Sequence, residues 1–320
     1  MPVILGTTEV FLKTGLVFSV LAMGYYVTYT LLDFPDLTVE GTFLSGAVTY
    51  GLLVTLGING WLALLAAFLV GAAFGAVSGI LHVRLHIRPL LCGILVSTAL
   101  ITVNLIATSA GTSGDFRGEA ASTIGFGRGA ATLRNVFPFS LIPAKVGGIG
   151  LRDVLLFLFV ALLCKYLLDV FLKTERGLLL RATGDNDRFV TTLSKDAGNN
   201  KILGLAIGNG YAAVSGALYT NITNNVNQSM GVGTVVIGLA SLIIGLSLFR
   251  NVRFLRPTGK VILGAVLYQT ALTVVNRLGV PTAYNKLLMA TIFVAALVLG
   301  DKEHLSDMRK KSKKENLRHD

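Results

Sequence analysis

Residues 61–81 read WLALLAAFLVGAAFGAVSGIL, 21 consecutive positions without a charged side chain. A helix rises about 1.5 Å per residue, so this run is about 30 Å long, the thickness of a bilayer's hydrocarbon core. Further apolar runs lie near 10–32, 37–56, 90–108, 152–173, 202–220, 230–249, 258–276 and 285–300. None alternates with period two and all are too long for barrel strands. The expectation is therefore an all-α, polytopic transmembrane bundle of about 8–10 spans. The whole chain agrees: of 320 residues 53% are hydrophobic and only 14% charged, with a mean hydropathy of +0.69, which excludes an ordinary soluble domain. Residues 1–300 form one membrane domain on this reading, with a long external loop at about 109–151, a cytoplasmic loop at about 174–201, and a flexible charged tail at 301–320.

Lys and Arg exceed Asp and Glu by 28 to 17, a net charge of +11, but the basic residues are scattered through short loops, which speaks for topology and against a nucleic-acid partner. Arg84 and Arg88, then Arg176, Arg181, Arg188, Lys195 and Lys201, then Arg250, Arg253 and Arg256, and finally Arg309 to Lys314 fall on one side if every run crosses once. That side is expected to be cytoplasmic, with the C-terminus there and the N-terminus external. Arg117, Arg128, Arg134 and Lys145 sit in the opposite, external loop, whose length and whose Asp115 and Glu119 reduce their weight. The first fifteen residues lack a basic region followed by a short apolar core and a cleavage site, so no removable signal peptide is expected.

Small residues recur every fourth position at Gly71, Gly75 and Gly79, and again at Gly204, Gly208, Ala212 and Gly216, which predicts two stripes for close helix packing. Polar side chains within spans are costly, so Asn104, Asn209, Gln269 and Asn276 are candidates for a substrate pathway, with interhelical hydrogen bonding as the plain alternative. Lys165 and Asp169 are spaced for an ion pair one helical turn apart. In FPDLTVEGT, Asp36 or Thr38 is expected to cap the helix that follows. His82 and His86 have ligand spacing, but Arg84 and Arg88 interleave with them, so no metal site is expected. Cys92 and Cys164 lie in apolar runs and read as small hydrophobes. No constellation for catalysis can be assembled. Gly259 and Lys260 form the one Gly-Lys pair, followed by Val261 and with no upstream glycine at phosphate-loop spacing. ATP chemistry, if used, must come from another chain.

Thr183, Asp185, Asn186 and Asp187 are good helix starters ahead of Phe189, Val190 and Leu193, so a short amphipathic helix along the membrane face is predicted there. The stretch LLLRATGDNDRFVTTLSKDAGNNKILGLAIGNGYAAVSGALYTN, with MGVGTVVIGLASLIIG after it, resembles the permease subunits of branched-chain amino acid and ribose type ABC importers, and among them the tryptophan/tyrosine transport permeases. DLTVEGTFLSGA, GILHVRLHIRPLLCGILVSTAL and RLGVPTAYNKLLMATIFVAALVL agree in order. The resemblance implies a type II-like importer permease in a bacterial cytoplasmic membrane, working as a homodimer with two copies of an ATPase that binds ATP and Mg and with an extracytoplasmic binding protein or lipoprotein. It implies that Gly184, Asp185, Asn186, Asp187 and Arg188 belong to a coupling helix seated in the ATPase. The expected cargo is an amino acid or related small solute. The competing class is a stand-alone ion-coupled secondary transporter, which would rest on Lys165 and Asp169.

Overall fold

The computed structural model describes residues 2–113, 123–126, 131–135, 139, 150–186, 190, 196–252, 254–277, 284, 287–288, 290–292 and 294. Helix α1 (Pro2–Tyr25) continues into a π turn at Tyr26–Leu31, and α2 (Thr38–Thr55), α3 (Gly60–Leu85) and α4 (Pro89–Ser113) follow. After these come α5 (Leu151–Phe171), α6 (Glu175–Asp185), α7 (Ala197–Thr223), α8 (Thr234–Leu248) and α9 (Pro257–Arg277). Among the described residues, seven stretches are long and apolar enough to cross a membrane: Thr8–Leu31, Gly60–Leu85, Pro89–Ser109, Leu151–Phe171, Ala197–Thr223, Gln228–Leu248 and Pro257–Arg277. The chain is thus a polytopic helical membrane protein. The run at 37–56 is also a helix, α2, but its Thr, Ser and Glu content fits its place inside the bundle better than a lipid-facing one. The last apolar run and the tail from 301 lie mostly outside the described residues.

α7 is the axle of the bundle, packed on α1, α2 and α3. The two small-residue stripes do not face each other. Gly71 and Gly75 on α3 bring that helix against the α7 backbone at Asn209 and Leu205, whereas Gly208 and Gly216 of α7 admit Gly24 of α1 and the Phe43 carbonyl of α2. A side chain at any of these points would force the backbones apart, in a solvent that supplies no hydrophobic drive to hold them together. Ser215 Oγ adds a hydrogen bond to the Val17 carbonyl, 2.8 Å, and Tyr211 Oη one to Cys164 O, also 2.8 Å.

The helix ends show how the chain turns. Asn59 caps α3 by accepting from Trp61 N, and His86 closes α3 in the left-handed conformation at φ 55°. His82 Nδ1 lies 2.8 Å from the Ile87 carbonyl, so both histidines are spent on this turn, and no group of His, Cys, Asp or Glu among the described residues could hold a metal ion. At the opposite end, Thr123–Gly125 (β1) pairs antiparallel with Asn225–Asn227 (β2), a short ladder outside the helices. It is anchored where Tyr50 Oη donates to Asn221 Oδ1 (3.1 Å) and accepts from Leu133 N (3.0 Å). There Arg134 bridges Asn224 and Asp153; burial lowers its pKa from the usual range and the Asp153 charge opposes that shift.

Gly198 at the start of α7 lies against Val83 of α3, and Asp169 near the end of α5 pairs with Arg256 before α9. Arg84, Arg88, Arg176, Arg181, Lys201, Arg250 and Arg256 therefore belong to connections at one end of the bundle, called here the α6 end; the ladder marks the other.

Candidate functional site

Asn209 is fully buried and stands 12 residues into α7, about 18 Å along a helix about 40 Å long. Its Nδ2 donates to Asp36 Oδ2 at 2.6 Å and to the Leu205 carbonyl at 3.0 Å, while its Oδ1 accepts from Thr42 Oγ1 at 2.8 Å. Asp36 Oδ1 in turn accepts from Thr38 N at 2.9 Å, which satisfies the first amide of α2, and Thr38 Oγ1 donates to Ser78 on α3 at 3.1 Å. Asp36 thus performs the capping expected of it and also does what the sequence did not disclose: it joins α2, α3 and α7 in one buried polar network. Because Asp36 reaches Asn209, α2 begins near mid-depth of the bundle and not at its surface.

A second break meets this one. After the ladder, a 3₁₀ turn at Gln228–Gly231 leads inward, with Gln228 Nε2 donating to Ile101 O at 2.9 Å, and the chain reverses at Gly233, φ 89°, before α8. Gly233 N donates to Glu40 Oε1, 3.0 Å away in the first turn of α2, and Gly231 lies against the Glu40 carbonyl. α2 runs outward from this point toward the ladder, parallel to α7, and α8 runs toward the α6 end. Two short helices, of 18 and 15 residues, therefore present their N-termini to one another inside the membrane domain, where their dipoles favour negative charge. Glu40 supplies it. The Tyr25 hydroxyl is buried within electrostatic reach of Asp36 and Glu40 and has no hydrogen-bond partner among the described residues. Neither Glu40 nor Tyr25 was singled out in the sequence, since one looked like part of a helix start and the other like an ordinary apolar-run aromatic.

The four pathway candidates part company. Asn209 is the centre of the network, and Asn104 joins α4 to α2 through Gly41 O at 3.3 Å. Gln269 is buried midway along α9, in the layer that α9 forms with α1 and α8. Asn276 lies in the last turn of α9, its Oδ1 without a partner among the described residues. Lys165 and Asp169 do form the expected ion pair at 2.9 Å, but Asp169 also accepts from Arg256 at 3.2 Å and from Thr258 at 2.7 Å. That is a fastening between α5 and α9.

Of the helix starters at Thr183–Asp187, Thr183 and Asp185 close one helix, while extended Asn186 precedes another: Val190 is helical, and its N donates to Asn186 O at 3.4 Å. α6 starts earlier, with Thr174 accepting from Gly177 N, and it ends at Asp185. Thr183 is therefore in the last turn of α6, bonded to Leu179 O at 2.7 Å, because the Thr174 cap and the apolar Leu178–Leu180 run begin α6 ahead of it. Gly184 rests directly on the Leu31 carbonyl at the end of the π turn, Asn200 of α7 reaches Thr183 at 3.4 Å, and Asp185 and Asn186 are exposed. Asp187, Arg188, Phe189 and Leu193 lie outside the described residues.

Comparison with known proteins accords with this architecture. Residues 8–297 match the family model described as branched-chain amino acid transport system, permease component. A tyrosine transport system permease protein from Clostridioides difficile (strain R20291) is 36% identical over 287 residues, covering 90% of this chain and 89% of the relative. An uncharacterized protein from Rickettsia prowazekii (strain Madrid E) is 27% identical over 300 residues, 92% of this chain and 98% of that one. No solved structure matches significantly. With the match running through both helix breaks and nearly all the membrane domain, the chain belongs to the permease-component family of branched-chain amino acid transport systems.

Proposed function

We propose that this chain is the membrane-spanning subunit of an ATP-driven ABC importer, moving an amino acid or related small solute delivered by an extracytoplasmic binding protein or lipoprotein. ATP and Mg are bound by a partner ATPase. The relative named for tyrosine transport supports the cargo class. On this reading the α6 end faces the cytoplasm of a bacterial cell, as its basic connections favour.

The observation that carries the reading is the seat of Gly184 on Leu31. Four residues separate Leu31 from Asp36, so a push on the exposed end of α6 is delivered within a short stretch of chain to the polar network and to the paired helix breaks. Gly184, Asp185, Asn186, Asp187 and Arg188 are the coupling residues, and Asn209 and Asn104 line or brace the path beside the breaks, with Gln269 and Asn276 as its more remote members. Val232 is 59% exposed in the irregular backbone beside Glu40. Irregular backbone is not stable against lipid at that depth, so this face turns toward a water-filled pathway closed by a second copy of the chain, a homodimer. Asp169 is held by three partners, which speaks against its serving as the relay of an ion-coupled carrier.

The test is Asp185→Ala with Arg188→Ala in the chain co-expressed with its ATPase subunit. Membrane insertion is expected to be normal and co-purification of the ATPase to be lost. Intact co-purification and uptake in the double variant would refute the coupling role. Concentrative uptake by the chain reconstituted alone would refute the ATP-driven reading as a whole.

A further inference from the structure

At the α6 end a pocket of about 410 Å³ opens where three membrane-spanning elements finish, bounded by Tyr26 of the π turn, by the end of α5 and by the start of α9. Lys173, Arg181 and Arg256 line it, one each from the α5–α6 turn, α6 and the approach to α9. Asp169 is the carboxylate in its wall, and that charge is already engaged by Lys165, Arg256 and Thr258. Arg181 and Tyr26 face the same pocket. The site is therefore a concave surface with more positive charge than its own carboxylate can neutralise, and it is of a size that takes small ligands.

Its surroundings say what kind of anion fits. Leu172, Leu178 and Pro257 form the apolar part of the wall. Leu178 is 57% exposed, and Phe254, two residues before Arg256, is 98% exposed. Large apolar side chains laid bare beside arginines at helix ends belong at the boundary between headgroups and acyl chains, not in bulk water. We propose that this pocket seats the phosphate of an anionic glycerophospholipid, with Lys173, Arg181 and Arg256 on the phosphate and Leu172, Leu178 and Pro257 against the glycerol and upper acyl chain. Basic pockets between membrane helices recognise headgroups by this combination. The proposal does not depend on the transport reading, since its readout is lipid retention.

The full chain is placed in phosphatidylcholine nanodiscs doped with phosphatidylglycerol, and the lipids retained after extraction are counted by native mass spectrometry. The Lys173→Gln, Arg181→Gln double variant leaves the Asp169 ion pairs intact and is expected to retain about tenfold less phosphatidylglycerol, with phosphatidylcholine unchanged and an unshifted thermal midpoint. Arg181→Lys is expected to restore most of the retention, which separates loss of charge from loss of fold. Equal retention by wild type and double variant would overturn the proposal, as would an equal loss in Arg88→Gln, which removes a cation from the same end but from another connection. Displacement of the lipid by millimolar inorganic phosphate would assign the pocket to the free anion and overturn the lipid assignment.

Discussion

Asn209 and Asp36 depend on each other because neither can find water. Each buried hydrogen bond to a charged group contributes about 1.5–3 kcal/mol, and stripping one partner leaves the other with its full desolvation cost. Asn209→Asp would set a second carboxylate 2.6 Å from the first and is expected to lower stability by about 2–3 kcal/mol, read as a fall in the thermal midpoint. Exchanging the pair, Asp36→Asn with Asn209→Asp, again sets an amide donor against a carboxylate acceptor, at the cost of the bond to the Leu205 carbonyl, and is expected to recover part of that loss. No recovery in the double variant would show that the pairing itself does not hold the site. Asn209 was legible in the sequence as a polar residue too costly to be idle. Its partner was not: Asp36 is far from it in sequence, and only the fold reveals that the cap and the buried amide are one network.

Among the elements, the close approach of α3 to α7 is set by positions where nothing but hydrogen fits. Gly75→Val would press on the Leu205 carbonyl and is expected to destabilise by about 1–3 kcal/mol, whereas Ala73→Val, on the exposed side of the same helix, should leave the thermal midpoint unchanged. The spacing of small residues announced both stripes but not their partners, because a stripe records that something comes close without recording what. The meeting of α2 and α8 was less legible still. Each reads as a plain apolar run, and the hydrogen bond from Gly233 N to Glu40 is what shows two helices beginning at the same depth. Glu40→Ala removes that tie and is expected to slow transport in proteoliposomes, while Glu40→Gln, which keeps an acceptor oxygen, should retain most of it.

At the scale of the molecule, the basic connections gather at the α6 end and the ladder lies at the other. Cys92 and Cys164 are both buried, so they give little background for labelling introduced cysteines. Asn224→Cys, exposed beside the ladder, is expected to react with a membrane-impermeant maleimide in intact cells, and Asp185→Cys only after permeabilisation. The reverse pattern would invert the orientation and remove the coupling surface from the cytoplasm. What the amino-acid sequence determined alone was the class of object: uninterrupted apolar runs leave a backbone no choice but helix in lipid, and eight of those runs are helices in the structure. Where the helices start relative to one another came from the packed fold alone. Apolarity fixes how much of a segment enters the membrane, but depth, and hence the convergence of two N-termini on Glu40, is set by contacts between residues far apart in the chain.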